Sequence, residues 1–278
     1  MNRSVQFALL TAGVAFGLGL GDIGLGGTAR AQEPGTPQTP SGNRAGDPQA
    51  LSVGVPVRIQ DALVTPYGET ILETISATTY VDRKGYGVSS PLSETIKYGA
   101  APGLGINLAL ANDVGNIGIP NHAGFTVSPS FQYVFTGSHG YVPGLSVEGF
   151  YTPRPGTGLS GGLWGFSGQL TKLLGPSEQS PRLHVNVEYI KFNDQTRQAR
   201  PEAINYGLGL SSLLTDRTSI VGDVFYSQTA VRRDSQTFLD VGFIHLLGPR
   251  LSVSAGAGAG LDRSTPAGRT FLSLATSF

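Results

Sequence analysis

Apolar and polar residues alternate one by one through most of the chain from residue 69 onward. In the segment 203–213 the apolar positions are Ile204, Tyr206, Leu208 and Leu210, and the polar or small positions are Asn205, Gly207, Gly209 and Ser211. A period of two residues predicts a β-strand with one apolar and one polar face. Each alternating segment is about ten residues long, the length that a tilted strand needs to cross the hydrocarbon core of a membrane.

The alternation predicts about twelve antiparallel strands, and an even count places both chain ends on the same side of a barrel. The predicted strands span 69–81, 92–100, 103–111, 124–135, 144–152, 159–172, 182–192, 203–213, 218–227, 236–246, 251–260 and 269–278. Short turns are expected on the periplasmic side of such a barrel. The longer connections are expected to face outward, and they span 83–91, 112–123, 193–202 and 229–235.

The last alternating segment, 271–278, ends on an aromatic residue, Phe278. Such an ending is typical of the closing strand of a bacterial outer-membrane barrel, and we expect Phe278 to act as the C-terminal insertion signal. In lipid every backbone polar group needs a partner within the protein, and a sheet supplies these partners only by closing on itself. The sequence therefore predicts an all-β fold, a transmembrane antiparallel up-and-down β-barrel in the bacterial outer membrane, with a flexible N-terminal lead-in.

The first residues have the pattern of a signal peptide. Arg3 precedes an uncharged stretch with an apolar centre, and 29–31 (Ala-Arg-Ala) supplies the small residues that signal peptidase accepts. We predict cleavage before Gln32, and the alternative is a retained N-terminal transmembrane anchor. The next residues are rich in proline and almost free of apolar side chains, which is typical of a flexible segment. Three parts result: a signal peptide, 1–31; a periplasmic linker, 32–50; and the barrel, 51–278.

Composition excludes several classes of protein. The chain has no cysteine, so it has no disulfide framework, thiolate metal site or catalytic thiol. Its 19 basic and 19 acidic residues give a net charge of zero, which leaves no electrostatic footprint for nucleic acid. Charged residues make up 14% of the chain, against about 25% in soluble domains, as expected when the outer face meets lipid. We predict no cofactor and no metal.

Some charged residues fall on the polar face of the predicted strands. The candidates for the lumen are Lys97, Glu148, Glu188, Asp223, Asp240 and Arg269. They either line a path for solutes or pair across a filled interior and fix the shape of the barrel, as in small barrels. Three of them, Asp223, Asp240 and Arg269, come from the ninth, tenth and twelfth strands and can form a shared network.

Little in the chain points to catalysis, and we predict that it is not an enzyme. A twelve-stranded outer-membrane phospholipase needs a histidine beside a serine at the level of the outer leaflet. The four histidines fall instead in loops, turns or strand ends: His122, His139, His184 and His245. A dinucleotide-like G-x-G-x-x-G pattern at Gly19–Gly24 lies in the signal segment, with no strand before it and no helix after it.

Basic residues gather in the expected outer loops, at Arg197, Arg200, Arg232 and Arg233. They either contact phosphate groups of the surrounding lipopolysaccharide or form a solvated edge. The expected partners are outer-membrane lipid, lipopolysaccharide, the barrel-assembly machinery and a small-molecule solute of unknown identity. Nucleic acid is not expected.

Several strand-and-turn motifs resemble those of a known group of outer-membrane proteins. The motifs are Tyr67-Gly68-Glu69-Thr70, Ile96-Lys97-Tyr98-Gly99-Ala100-Ala101-Pro102, Leu170-Thr171-Lys172, Arg182-Leu183-His184-Val185-Asn186-Val187, Asn205-Tyr206-Gly207-Leu208-Gly209 and the closing Phe278. Together they resemble the MetA-pathway phenol-degradation family of transporter-type barrels. The resemblance implies a gated or narrow barrel for small aromatic or other hydrophobic compounds. Thr276 departs from the pattern, since such proteins commonly have tyrosine there.

Two functions remain open at this point. The first is a passive outer-membrane channel or transporter for small molecules, favoured by the glycines on the inward face, which leave space. The second is a structural or surface-interaction barrel with a plugged lumen and no transport, favoured by the interior charges.

Overall fold

The computed structural model describes residues 58–81, 87–115, 122–138, 142–153, 161–177, 179–193, 200–229, 235–262 and 265–278. The predicted signal peptide and linker lie outside these residues. Within the described ranges, no helix is long and apolar enough to cross a membrane.

The described chain forms twelve strands. They are β1 (Thr70–Val81), β2 (Gly87–Ala101), β3 (Leu104–Gly115), β4 (His122–Thr136), β5 (Gly144–Thr152), β6 (Leu163–Leu173), β7 (Arg182–Phe192), β8 (Glu202–Thr215), β9 (Thr218–Gln228), β10 (Ser235–Gly248), β11 (Leu251–Gly260) and β12 (Gly268–Ser277). Each overlaps one predicted segment, so the strand prediction is confirmed.

Three boundaries differ from the prediction by four or five residues. The predicted second strand started at 92, directly after Pro91. In the structure β2 continues through Pro91, which lies opposite Asp113 of β3. The predicted sixth strand started at 159, whereas β6 starts at Leu163. The predicted third strand ended at 111, whereas β3 ends at Gly115. The connections between β1 and β2 and between β3 and β4 are therefore shorter than the predicted 83–91 and 112–123.

The strands pair antiparallel in chain order, and β1 pairs with β12 to close the barrel. Ile71 lies opposite Ser277 in this seam. Phe278 extends the seam: its N–H donates to the Thr70 carbonyl at 2.9 Å, and the Thr70 N–H donates to the Phe278 carbonyl at 3.4 Å. Closure leaves no strand edge unpaired, which is the condition for a sheet in lipid. The predicted fold class is confirmed.

Side chains alternate between the outer and inner faces as the pattern predicted. In β8 the side chains of Ile204, Tyr206 and Leu208 are 51–56% exposed, whereas Asn205 and Ser211 are 4% and 1% exposed. The outer face is apolar and the inner face polar, the reverse of a soluble protein. This arrangement suits a wall that meets lipid on the outside.

Three turns at one end of the barrel are two residues long, at 102–103, 216–217 and 249–250. Gly103 has a φ of 76°, a left-handed conformation that glycine adopts without strain. Because neighbouring strands run in opposite directions, these turns, which all follow even-numbered strands, share one end of the barrel.

A segment that precedes β1 runs along the inner wall of the barrel. We call residues 58–66 the strap. Its residues Ile59 and Ala62 are fully buried. The strap ends where Tyr67 bridges to Gly99 of β2 and the Gly68 N–H donates to the Gly99 carbonyl at 2.9 Å. Gly68, with a φ of 79°, then turns the chain into β1.

Candidate channel lumen

All six charged residues that the strand pattern proposed for the lumen lie on the inner face. Polar side chains surround them on neighbouring strands, and the deeply buried ones include Gln132, Ser146, Ser167, Gln169, Asn186 and Asn205. Several of these are linked, since Gln132 Nε2 donates to Ser146 Oγ at 3.2 Å and Ser146 Oγ donates to Gln169 Oε1 at 2.8 Å. The inner wall is therefore a hydrogen-bonded polar surface.

Asp240 and Arg269 form a buried ion pair between β10 and β12. Arg269 Nε donates to Asp240 Oδ1 at 2.8 Å, and Nη2 donates to Oδ2. Gly258 of β11 lies between them, where a Cβ would collide with the Asp240 carboxylate. The guanidinium also lies 3.8 Å from the ring centre of Phe238 and 5.2 Å from that of Phe271. Paired charge and aromatic faces together stabilise the guanidinium inside the barrel.

A second ion pair joins β1 and β2. Lys97 Nζ donates to Glu73 Oε2 at 2.6 Å, and Glu73 is 4% exposed. Lys97 is among the predicted lumen residues, whereas Glu73 is not. The strand pattern could have found it, because Glu73 shares the inner face of β1 with Ile71.

Asp223 binds the strap instead of a cation. It lies opposite Asp240 in the register of β9 and β10. Its Oδ2 accepts the N–H of Ile59 at 2.8 Å, and its Oδ1 has no hydrogen-bond partner among the described residues. The expected network is thus divided: Asp240 pairs with Arg269, while Asp223 holds the strap.

Two further side chains hold the strap by its backbone. Asn186 of β7 accepts the Gln60 N–H at 2.6 Å and donates to the Gln60 carbonyl at 2.8 Å. Thr171 of β6 accepts the Ala62 N–H at 2.9 Å. A buried N–H without a partner costs about 1–3 kcal/mol, so these contacts are what allows an extended segment to lie inside the barrel.

Glycines of the wall make room for the strap. A Cβ at each of four positions would meet the strap: Gly209 at 3.0 Å from Ile59 Cγ2, Gly144 at 3.5 Å from Ala62 Cβ, Gly105 at 2.9 Å from Val64 Cγ2, and Gly99 against the Pro66 carbonyl. From the sequence, inward glycines are expected to leave open space. At these four positions the strap occupies that space.

Arg58 at the start of the strap places a cation inside the barrel. Its Cζ lies 5.1 Å from the ring centre of Phe225. It makes no hydrogen bond or ion pair within the part of the chain that the structure describes. The charged groups within its electrostatic reach are Arg269, Glu188, Asp240 and Asp223.

Two carboxylates share one level of the wall. Glu148 of β5 lies opposite Ser167 of β6, and Ser167 lies opposite Glu188 of β7. We call these three residues the acidic row. Glu188 Oε2 accepts a hydrogen bond from Asn205 Nδ2 at 2.5 Å. Glu148 is 9% exposed and makes no hydrogen bond or ion pair among the described residues.

His184 lies near the start of β7, as expected from the sequence, and is a buried wall residue. It is fully buried, with Nδ1 3.1 Å from Thr171 Oγ1 and Nε2 2.9 Å from Ser211 Oγ. It therefore links β6, β7 and β8. His245 lies 2.8 Å from Thr218 Oγ1 through its Nδ1. The described residues contain no group of three His, Cys, Asp or Glu side chains placed to hold a metal ion.

Of the basic residues expected in outer loops, Arg200 is described. Its Nε donates to the Thr229 carbonyl at 3.1 Å, which ties the start of β8 to the end of β9. Arg197, Arg232 and Arg233 lie outside the described residues.

Comparison with protein families gives a match over residues 98–277 to the family described as putative MetA-pathway of phenol degradation. The chain belongs to this family. The matched region runs from the end of β2 to the end of β12, so the family's pattern covers most of the barrel wall but not the strap. The family resemblance inferred from the sequence is confirmed. A comparison with curated proteins gives no match.

Solved structures of outer-membrane proteins share the fold of this family member. It is similar to the COG4313 outer membrane channel from Pseudomonas putida F1, with a TM-score of 0.59, 13% identity, and coverage of 82% of this chain and 100% of that one. The NanC porin aligns with a TM-score of 0.54 at 9% identity, covering 74% and 98% of the two chains. The KdgM porin gives a TM-score of 0.50 at 10% identity, covering 75% and 99%. At these identities the similarity shows an outer-membrane β-barrel fold.

Proposed function

We propose that this protein is a narrow outer-membrane channel for passive movement of small molecules. The observation that carries the proposal is the closed barrel with an apolar outer face and a hydrogen-bonded polar inner face. A polar lining suits a water-filled path, since it replaces part of the hydration of a passing solute. The strap narrows this path along β2 to β9. The channel and porins of similar fold support the proposal by analogy.

Small aromatic and other hydrophobic compounds are the proposed solutes. The family description names phenol degradation. Several phenylalanines also face inward, among them Phe225, Phe238 and Phe271, although the rest of this inner wall is mostly polar. Phe225 and Phe238 lie directly opposite each other in the ladder. Such rings give part of the wall an apolar, aromatic character, which supports the proposal of an aromatic solute.

The proposal also covers the export, assembly and chemistry of the protein. The chain is exported with a cleavable signal peptide, is folded by the barrel-assembly machinery, and contacts lipid and lipopolysaccharide on its outer face. It carries out no chemical reaction on its solute. His184, the fully buried histidine, supports this view because its ring is enclosed by wall hydroxyls and does not face a solute.

One observation favours the second candidate, a barrel that does not transport. The strap fills the space beside four wall glycines and its backbone is bound by side chains of three strands. If the strap and the inward phenylalanines fill the remaining cross-section, the lumen is plugged and the barrel serves a structural role.

Planar-bilayer recording of the purified, folded protein separates the two candidates. A channel is expected to give discrete current steps in KCl, and phenol added to the bath is expected to interrupt that current more than an equal concentration of glycerol. Protein-free bilayers under the same additions control for effects on the lipid. Absence of current at all voltages, together with absence of solute uptake into liposomes, would leave the plugged barrel as the function.

A further inference from the structure

The charges of the described inner wall do not cancel. The two ion pairs, Asp240–Arg269 and Lys97–Glu73, are each neutral. Three carboxylates remain on the wall: Glu148, Glu188 and Asp223. Among the described residues inside the barrel, the cation that faces them is Arg58 of the strap. Two further charges, Asp61 of the strap and Arg182 at the first position of β7, are of opposite sign and leave this balance unchanged.

The excess negative charge is concentrated at the acidic row. The register places Glu148 and Glu188 on either side of Ser167, roughly 10 Å apart because one strand separates them. Neutral amide side chains continue the row on both sides, since Gln132 lies opposite Glu148 and Asn205 opposite Glu188. No lysine or arginine stands in it.

Glu148 is a carboxylate that lacks a partner among the described residues. It is nine-tenths buried, yet it makes no hydrogen bond or ion pair within the described ranges. Its carboxylate oxygens are not among the fully buried unpartnered atoms of the described chain, so they remain open to the lumen. A carboxylate with so little hydration attracts a cation that can reach it. Glu188 is half-buried and within electrostatic reach of Glu148. Their fields add in a lumen with low-dielectric walls.

We propose that the acidic row makes the channel selective for cations, with Glu148 and Glu188 as its specificity-determining residues. The solutes favoured are small monovalent cations, including compounds with a primary ammonium group, whose N–H donors match the carboxylates and the Ser167 hydroxyl. Arg58 opposes this preference from the strap and weakens the binding. Weak binding at the acidic row suits a channel, because a solute that binds there must also leave the site. The inference rests on the proposed channel function.

Reversal potentials across a tenfold KCl gradient test the inference. The unmodified protein is expected to pass K⁺ roughly tenfold better than Cl⁻, the lower end of what charged clefts achieve. The double variant Glu148→Gln with Glu188→Gln is expected to lose this preference, because the amides keep the shape without the charge. Arg58→Gln is expected to raise the K⁺ preference, since it removes the opposing cation.

Two neighbouring residues of the β8–β9 turn provide matched controls. Asp216 and Arg217 are exposed and lie at the barrel end, so Asp216→Asn and Arg217→Gln are expected to leave the reversal potential unchanged. Gel mobility before and after boiling verifies that each variant is folded. Current without cation preference, or a preference that survives the double variant, would overturn the inference and leave the channel function standing. A protein that conducts no current would overturn both.

Discussion

At the residue scale, the inner face combines satisfied and unsatisfied charges. Asp240 and Arg269 satisfy each other through two hydrogen bonds and are almost wholly buried. Asp223, one strand away from Asp240, has one oxygen bound to the strap backbone and one oxygen without a hydrogen-bond partner among the described residues. Paired charges fix the wall, and unpaired charges are available for function.

Arg269→Ala is expected to lower the free energy of unfolding by about 3 kcal/mol or more, because it leaves the Asp240 carboxylate buried and uncompensated. Arg217→Ala, in an exposed turn, is expected to change it by about 0.5 kcal/mol or less. The loss of heat-modifiable gel mobility, followed over a temperature series, measures both effects. Equal midpoints for the two variants would contradict a stabilising role for the pair.

Single residues show what the sequence can and cannot predict. Parity places Asp240 and Arg269 inside, because each strand face is set by a period of two residues. Parity cannot assign partners, since the choice between Asp223 and Asp240 for Arg269 depends on the space left by Gly258. It also leaves Arg58 unassigned, because this residue precedes the first strand.

At the element scale, the strap is the feature that periodicity misses. Its backbone is bound by side chains of Asp223, Asn186 and Thr171, and not by a neighbouring strand. A segment held in this way needs no alternation of its own side chains. The apolar run 62–64 before the first strand was the available signal in the sequence.

A disulfide tests whether the strap lies on the wall in the membrane. The chain has no cysteine, and a Cβ at Gly144 would lie 3.5 Å from Ala62 Cβ, within the range of about 3.5–4.5 Å that a disulfide requires. Ala62→Cys with Gly144→Cys is therefore expected to cross-link on oxidation, as detected by mass spectrometry of proteolytic peptides.

Leu145 provides the control for this cross-link. It neighbours Gly144 but faces outward and is 39% exposed. Ala62→Cys with Leu145→Cys is therefore expected to remain reduced under the same conditions. Free thiols in both pairs, in protein whose gel mobility shows a folded barrel, would mean that the strap does not occupy the wall.

At the scale of the whole molecule, the first and last strands of the barrel pair at the β1–β12 seam. Thr70 and Phe278 exchange two backbone hydrogen bonds there. The alternation of apolar and polar residues predicts the number of strands, their two faces and this closure. It does so because each of the twelve strands has the same pattern, apolar side chains outward and polar side chains inward. The contents of the lumen do not follow from it.

Removal of Phe278 is expected to reduce the amount of folded barrel in outer-membrane fractions several-fold, because it removes both seam hydrogen bonds and the terminal aromatic ring. Phe278→Tyr keeps the backbone and a ring and is expected to behave like the unmodified protein. Unboiled and boiled samples on gels measure the folded fraction. If the shortened chain folds in equal amount, Phe278 is not an insertion signal.

The way the strap is attached determines how it would respond to a mechanical force. Its carboxyl end is fixed by the Tyr67 bridge and the Gly68 hydrogen bond to Gly99, while the three side-chain anchors follow one another toward Ile59. Tension applied from the amino-terminal side loads the Ile59 anchor first and the others in turn. Bonds that are peeled one by one yield to a smaller force than bonds sheared together, so a modest pull would detach the strap while the barrel wall stays intact.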